Sequence, residues 1–318
     1  MINAHTPTIS VVIPVYNEHA GLAAFNTALT AVLSALGEEY EIIYCDDGST
    51  DGSTILLQEL ASQHKEVRVV CLSRNFGKEI ATTAGLHAAK GAAIITLDAD
   101  GQHPVELIPQ FVKKWQEGAK VVIGVRVDRR QASLAKRLGS RLFHGLFRRV
   151  SGIKIVPGAG DFRLIDRVVQ TEFVRMTERN RITRGLIDWL GYQREYIPYR
   201  ENPRLHGTAT YSLSRLLKLA IDSAISLSIS PLYITAYIGA VVLPAASLLG
   251  LGMGVNFLLR DPLHLHATGG AYLMVLILFL VGILLVSQGI IGLYLSHIHT
   301  ETQNRPLYVV DTERSRDA

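Results

Sequence analysis

Five short apolar runs, most of them rich in β-branched residues, recur between positions 9 and 125, and helical apolar spacing fills the intervals between them. The first, 9–15 (ISVVIPV), ends at Tyr16-Asn17-Glu18, and 20–36 follows with Leu22, Phe25, Leu29, Val32, Leu33 and Leu36 on one helical face. The second, 40–45 (YEIIYC), ends in Asp46-Asp47-Gly48-Ser49-Thr50-Asp51-Gly52, turn chemistry that leads into a helix at about 53–64. The third, 67–72, runs into Ser73-Arg74-Asn75-Phe76-Gly77-Lys78 and a helix at about 79–90. The fourth, 92–98, and fifth, 120–125, bracket a helix at about 104–117. Such alternation with short joins predicts an α/β fold with a mostly parallel sheet covered on both faces. Ligands of such sheets bind beyond the carboxyl ends of the strands, where the polar clusters after runs one, two and four fall.

The fourth run closes on Leu97-Asp98-Ala99-Asp100-Gly101-Gln102. Two carboxylates one residue apart at a strand end suit a hard cation, Mg²⁺ or Mn²⁺, that shares its oxygen ligands with a substrate's phosphates. A solvated acidic turn is the plainer alternative for the pair taken alone. His103 reads as a solvated residue at a helix start, with a weak extra metal or substrate contact as the alternative. Cys45 and Cys71, the two cysteines of the 318 residues, fall inside predicted strands without metal-ligand spacing, so they are expected as reduced core residues. The amino-terminal segment has no basic stretch followed by an apolar one, and no cleaved signal peptide is expected.

Residues 126–154 carry nine basic side chains (Arg126, Arg129, Arg130, Lys136, Arg137, Arg141, Arg148, Arg149, Lys154) against one acid, Asp128. Apolar residues are interleaved at near-helical spacing, which makes a basic amphipathic segment: a solvated charged face, or an anion or membrane-surface site. No recognised nucleic-acid motif accompanies it, and nucleic acid is not an expected partner. The chain is 48% hydrophobic with a mean hydropathy of +0.22, and the excess lies in the last third. Between Asp222 and Arg260 stand 37 residues without Asp, Glu, Lys or Arg, and between Asp261 and Glu301 another 39. A bilayer span needs about 20 apolar residues, so transmembrane helices are expected at about 231–259 and 271–295, joined by the loop 260–270. Arg200, Arg204, Arg215 and Lys218 precede the first span, so the positive-inside rule puts the amino-terminal domain and the carboxyl-terminal tail in the cytoplasm, on the inner membrane. Small residues in the spans suit helix packing and make a homo-oligomer plausible.

The segments VVIPVYNE, CDDGSTDG, LSRNFGKE, LDADGQHP and GDFRLIDR, in this order, resemble family-2 glycosyltransferases of the GT-A fold. The two apolar stretches and the tail Gln303-Asn304-Arg305-Pro306-Leu307-Tyr308-Val309-Val310 narrow the likeness to bacterial polyprenyl-phosphate glycosyltransferases, relatives of dolichyl-phosphate mannose synthase. The resemblance implies a GT-A domain over 1–210, an interfacial helix over 211–228, a transmembrane hairpin over 229–300 and a tail over 301–318. It implies a nucleotide-sugar donor, with UDP-glucose favoured by family frequency and UDP-galactose, an N-acetyl-hexosamine or a modified pentose donor left open, framed by Pro14, Tyr16 and Glu18, with Asp46 or Asp47 accepting hydrogen bonds from uracil or ribose and Lys78 beside the donor. It implies Asp98, Asp100 and Gln102 around Mg²⁺ or Mn²⁺, and Asp161 facing the acceptor or bracing its own loop. Polyprenyl phosphate would be the acceptor, its phosphate held by Arg126, Lys136, Arg137, Ser140, Arg141 and Arg204, with inversion at the anomeric carbon.

Two departures from the family pattern stand out. Ala209-Thr210-Tyr211 occur where many relatives carry Ser-Lys-Tyr, and His103 occurs where many carry an acid or Asn. Gly77-Lys78 lacks the rest of a phosphate loop. The competing classes are a processive polysaccharide synthase, for which the Gln-x-x-Arg-Trp motif is missing, and a non-catalytic membrane scaffold, against which intact Glu18, Asp98, Asp100 and Asp161 argue.

Overall fold

A computed structural model describes residues 7–127, 158–179, 181–200, 248, 255 and 269–316. Strands β1 (Ile9–Val15), β2 (Tyr40–Asp46), β3 (Val67–Cys71) and β4 (Ala93–Thr96) alternate with helices α1 (His19–Ala35), α2 (Ser53–Gln63) and α3 (Lys78–Ala88). A 3₁₀ turn (Val105–Leu107) and α4 (Ile108–Gln116) lead to β5 (Val121–Arg126). After these come β6 (Ala159–Asp166), α5 (Arg167–Arg175), α6 (Thr183–Trp189), β7 (Arg194–Tyr199) and α7 (Gly269–Thr302). The seven strands form one sheet in the order β3-β2-β1-β4-β6-β5-β7. Every pairing is parallel except those of β6, which runs antiparallel to β4 and β5.

The period of two along each strand sends alternate side chains to opposite faces. Val11, Ile13, Ile42, Tyr44, Val69 and Ile95 bury against Leu22, Phe25 and Leu29 of α1 and Ile108 and Phe111 of α4. Val12, Ile43, Cys45, Val70, Ile94 and Ile165 bury on the other face with Ala81 and Ala84 of α3, Val169 and Phe173 of α5 and Ile187 of α6. Two-sided burial is why the strand sequences are apolar throughout rather than alternating. Helix α3 lies close to the sheet at Gly85, where an added Cβ would sit 2.3 Å from Val12 Cγ1 and 2.7 Å from Cys45 Sγ. Both cysteines are free and buried, and burial pushes both thiols above their ordinary range.

The chain divides into two compact units, one of them holding the sheet and the tail residues Arg305–Arg316, the other holding α7. The tail is not a separate appendage. Arg316 N donates to Val69 O and Val69 N to Arg316 O, Asp311 N donates to Cys71 O, and Ser73 N donates to Val309 O. These bonds cover the open edge of β3, a liability that sheets otherwise blunt with charge or short length. Tyr308 Oη and His87 Nδ1 lie 2.9 Å apart, which ties the tail to α3 as well.

Helix α7 has 34 residues and reaches Glu301 before its first Asp, Glu, Lys or Arg. Among the described residues no helix is long and apolar enough to cross a membrane; nine side chains within α7 lie outside that set, as does the expected first span apart from Leu248 and Val255. The expected interfacial helix at 211–228 also lies outside the described residues.

Candidate active site

The site lies at the carboxyl ends of β1, β2 and β4, at the edge the alternation indicated. The turns after β1 and β2 are laced together by backbone N–H groups and short polar side chains. Asn17 N donates to Ser49 Oγ at 3.0 Å, Thr50 N to Asn17 Oδ1 at 2.8 Å, Glu18 N to Ser53 Oγ at 3.1 Å and His19 N to Asp51 Oδ2 at 3.1 Å. Asn17 sits at φ 57°, a left-handed value that asparagine tolerates better than most residues. This lacing presents Pro14, Tyr16 and Glu18 along one wall of a cavity of about 450 Å³. Asp47, Lys78, Asp98 and Asp100 line the same cavity.

The two acids of the β2 turn part company. Asp46 is fully buried and accepts from Ser49 N at 3.1 Å and from Thr54 Oγ1 at 2.5 Å, so both its oxygens hold the turn. Asp47 faces the cavity and accepts from Phe76 N at 2.7 Å and Gly77 N at 2.8 Å. Burial pushes the Asp47 carboxyl above its ordinary value, and those two N–H groups pull the other way. Gly48, at φ +72°, lets the two loops meet: an added Cβ would lie 2.7 Å from the Arg74 carbonyl carbon. Asp47 thereby fixes the entry of α3, whose first residue is Lys78.

The β4–β6 register carries Asp161 to the same place. Thr96 pairs with Arg163, so continuing the antiparallel count by two sets Asp161 opposite Asp98. Lys78 Nζ bridges the pair, 2.8 Å from each carboxylate. Arg184, from α6, approaches Asp161 Oδ1 at 3.7 Å. Burial alone would raise the Asp161 carboxyl, but Lys78 and then Arg184 and Arg163 hold it below the ordinary carboxylate range. Burial likewise opposes charge on Lys78, and Asp98 and Asp161 outweigh it, leaving the ammonium above its ordinary value. Behind Asp161, Arg163 is 2% exposed and donates through Nε and Nη2 to Gly160 O, which stiffens the segment.

His103 differs from the expectation of a solvated helix-start residue. It is buried, its ring stacks on Phe162 with centroids 5.2 Å apart, and its Nδ1 accepts from Asp98 N at 3.1 Å. The aromatic pocket of Phe162 and Tyr199 comes from β6 and β7, which the strand pattern does not reveal, so nothing in the local sequence marked His103 as a support for Asp98. Arg184 was missed for the same reason: α6 has no signal tying it to the acidic cluster.

Asp98 and Asp100 line the cavity together, and Gln102 N donates to Asp100 Oδ1 at 3.0 Å. Among the described residues no group of three or more His, Cys, Asp or Glu could hold a metal ion. Two carboxylates beside a cavity nevertheless fit a Mg²⁺-type ion, which typically takes one or two protein carboxylates and completes its shell from phosphates and water. Arg126, expected at the acceptor phosphate, ends β5 with its side chain exposed. Lys136, Arg137, Ser140, Arg141, Arg204 and the Ala209-Thr210 departure lie outside the described residues.

A mostly parallel sheet of this order with acids at the carboxyl ends of β2 and β4 defines an α/β domain with a cavity at its switch point. The profile of Glycosyl transferase family 2 matches residues 10–172. An uncharacterized glycosyltransferase of Synechocystis sp. (strain ATCC 27184 / PCC 6803 / Kazusa) is 39% identical over 96% of this chain and 95% of its own. The bactoprenol glucosyl transferase of Shigella phage SfV is 34% identical over 97% and 99%, and a prophage bactoprenol glucosyl transferase homolog of Escherichia coli (strain K12) is 35% identical over 95% and 98%. Among solved structures, glucosyl-3-phosphoglycerate synthase from Mycobacterium tuberculosis, in complex with Mn²⁺, UDP and glucosyl-3-phosphoglycerate, aligns with a TM-score of 0.49 at 21% identity over 70% of this chain and 78% of that one. The chain belongs to glycosyl transferase family 2. It is a glycosyltransferase, similar over nearly its whole length to bactoprenol glucosyl transferases.

Proposed function

We propose that this enzyme transfers a single sugar from a UDP-sugar, UDP-glucose the favoured donor, to polyprenyl phosphate at the cytoplasmic face of the inner membrane. The observation that carries the reading is the cavity that gathers Tyr16, Glu18, Asp47, Lys78, Asp98 and Asp100, the residues that the family resemblance implies for the donor and its metal. Tyr16 is 47% exposed and offers an aromatic face to the base, and Asp47 accepts from the uracil or ribose. Asp98 and Asp100 hold Mg²⁺ or Mn²⁺, which when bound offsets the charge that grows on the leaving diphosphate.

A lipid phosphate monoester has its second pKa near ~6 and is largely dianionic at neutral pH. Its oxygen attacks the anomeric carbon as the bond to the donor's β-phosphate oxygen breaks and that electron pair leaves with the nucleoside diphosphate. The configuration inverts, and no proton is removed from the nucleophile. That suits Asp161, which its cationic neighbours keep ionised: it pairs with Arg184 rather than taking a proton. Arg126, with the basic segment 129–154 and Arg204, steadies the acceptor phosphate.

The membrane reading rests on the two charge-free stretches and on the exposed apolar side chains of α7, Leu273, Met274, Ile277, Phe279 and Leu284 among them. The tail's backbone bonds to β3 support an even number of crossings between the sheet and Arg305, because both ends of the intervening segment then lie on one side. Two helices forming a hairpin satisfy that count. The test is release of UDP by purified protein in detergent with Mn²⁺. The expected result is release that depends on undecaprenyl phosphate and stops with chelator; release indifferent to the lipid contradicts the acceptor.

A further inference from the structure

Lys78 stands where two functions collide. Its ammonium is bonded to Asp98, one of the two carboxylates that suit the metal, and to Asp161 across the β4–β6 register. An ammonium and a divalent cation on one carboxylate repel, so a metal binding to Asp98 must compete with Lys78. The competitor is not free to leave altogether. Its backbone is set by Phe76 N and Gly77 N, which donate to Asp47, and the side chain reaches Asp98 from the first turn of α3. At 45% side-chain exposure it borders the same cavity in which a diphosphate would lie. A nucleoside diphosphate therefore supplies the second partner that Lys78 lacks when a metal displaces it.

We propose that Lys78 is a latch that exchanges partners: its ammonium holds Asp98 to Asp161 in the empty site and passes to the donor's diphosphate when the metal takes Asp98. This deepens the donor-binding reading and rests on it. The consequence is positive coupling, in which metal alone displaces the latch unaided and binds weakly, while metal with nucleoside diphosphate gives the ammonium a new anion. Coupling between two ligands is reciprocal, so each strengthens the other by the same factor. Asp161 and Arg184 retain each other when Lys78 departs, which keeps the acceptor side ordered.

The test measures Mn²⁺ binding by the electron paramagnetic resonance signal of the free ion, with and without UDP, in the full-length protein in detergent. Lys78→Met removes the competing charge, so Mn²⁺ alone binds about tenfold more tightly than to wild type, and the gain from adding UDP shrinks by a similar factor. Lys78→Gln gives the same result with a polar side chain, and Lys78→Arg, which keeps the charge, stays near wild type. Unfolding followed by tryptophan fluorescence verifies that each variant is folded. Mn²⁺ affinity that is unchanged or weaker in Lys78→Met and Lys78→Gln overturns the latch while leaving the donor site standing. Failure of wild type to bind either UDP or Mn²⁺ overturns the donor reading and the latch with it.

Discussion

Replacing His103 with phenylalanine isolates the least expected support in the site. The ring and its stack on Phe162 survive, but the acceptor for Asp98 N–H is gone. Leaving this half-buried donor without its partner costs at most about 1–3 kcal/mol, so urea unfolding followed by the fluorescence of Trp115 and Trp189, the two tryptophans of the chain, should report a loss of up to that size. The same change frees the backbone that aims the Asp98 carboxylate. Misplacement of a reacting group by an ångström costs up to roughly a hundredfold, and we expect sugar transfer to fall at least about tenfold. His103→Asn makes the reciprocal change, keeping an oxygen near Nδ1 and losing the stack, worth about 0.5–1.5 kcal/mol. It should retain most activity. A phenylalanine variant equal to wild type in both stability and transfer refutes the reasoning, as does an asparagine variant less active than the phenylalanine one.

Three further outcomes follow from particular contacts. Asp100→Ala should abolish transfer and weaken Mn²⁺ binding in the presence of UDP, measured by the same resonance signal. Deleting 305–318 removes the four backbone bonds to Val69, Cys71 and Ser73; at about 0.5–1.5 kcal/mol each, urea unfolding should show a loss of about 2–6 kcal/mol. Asp166 has its carboxyl held below the ordinary value: burial opposes ionisation, but bonds from Val168 N, Trp115 Nε1 and Lys120 Nζ outweigh it. Its stabilisation is complete above the unfolded value near ~3.9 and disappears as pH falls through the lower folded value. Asp166→Asn should therefore flatten the decline in stability below about pH 4, and an unchanged acid profile would refute that assignment.

The first half of the fold was legible because its strands are apolar on both faces and end in turn chemistry. Strand β1 spans 9–15 as expected, and β2, β3 and β5 begin or end within a residue of expectation. The acids at the ends of β2 and β4 could be read for the same reason. Strands β6 and β7 could not, because AGDFRLID and REYIPY mix charged and apolar residues without a clear period of two. Their charges have specific partners instead: Arg163 on Gly160 O, Asp166 on Trp115 and Lys120, Arg194 on Asp188 O. Missing β6 meant missing why Asp161 meets Asp98, and missing β7 hid the pocket for His103. Asp46 and Asp47 were indistinguishable in sequence, since only the fold decides which of two adjacent acids closes the turn and which faces the cavity. The pairing of the tail with β3 was invisible too, because about 240 residues separate the bridged positions, and local pattern carries no information about such pairings.

The most direct measurement is the mass of the lipid product. Purified protein in detergent with undecaprenyl phosphate, Mn²⁺ and a panel of UDP-sugars is extracted, and the lipid fraction is weighed by mass spectrometry. The account predicts one sugar added per polyprenyl phosphate, linked through the phosphate, from one preferred donor and lost in Asp100→Ala. Sugar chains longer than one residue, or no glycosylated lipid with any donor from protein shown to be folded, would contradict it.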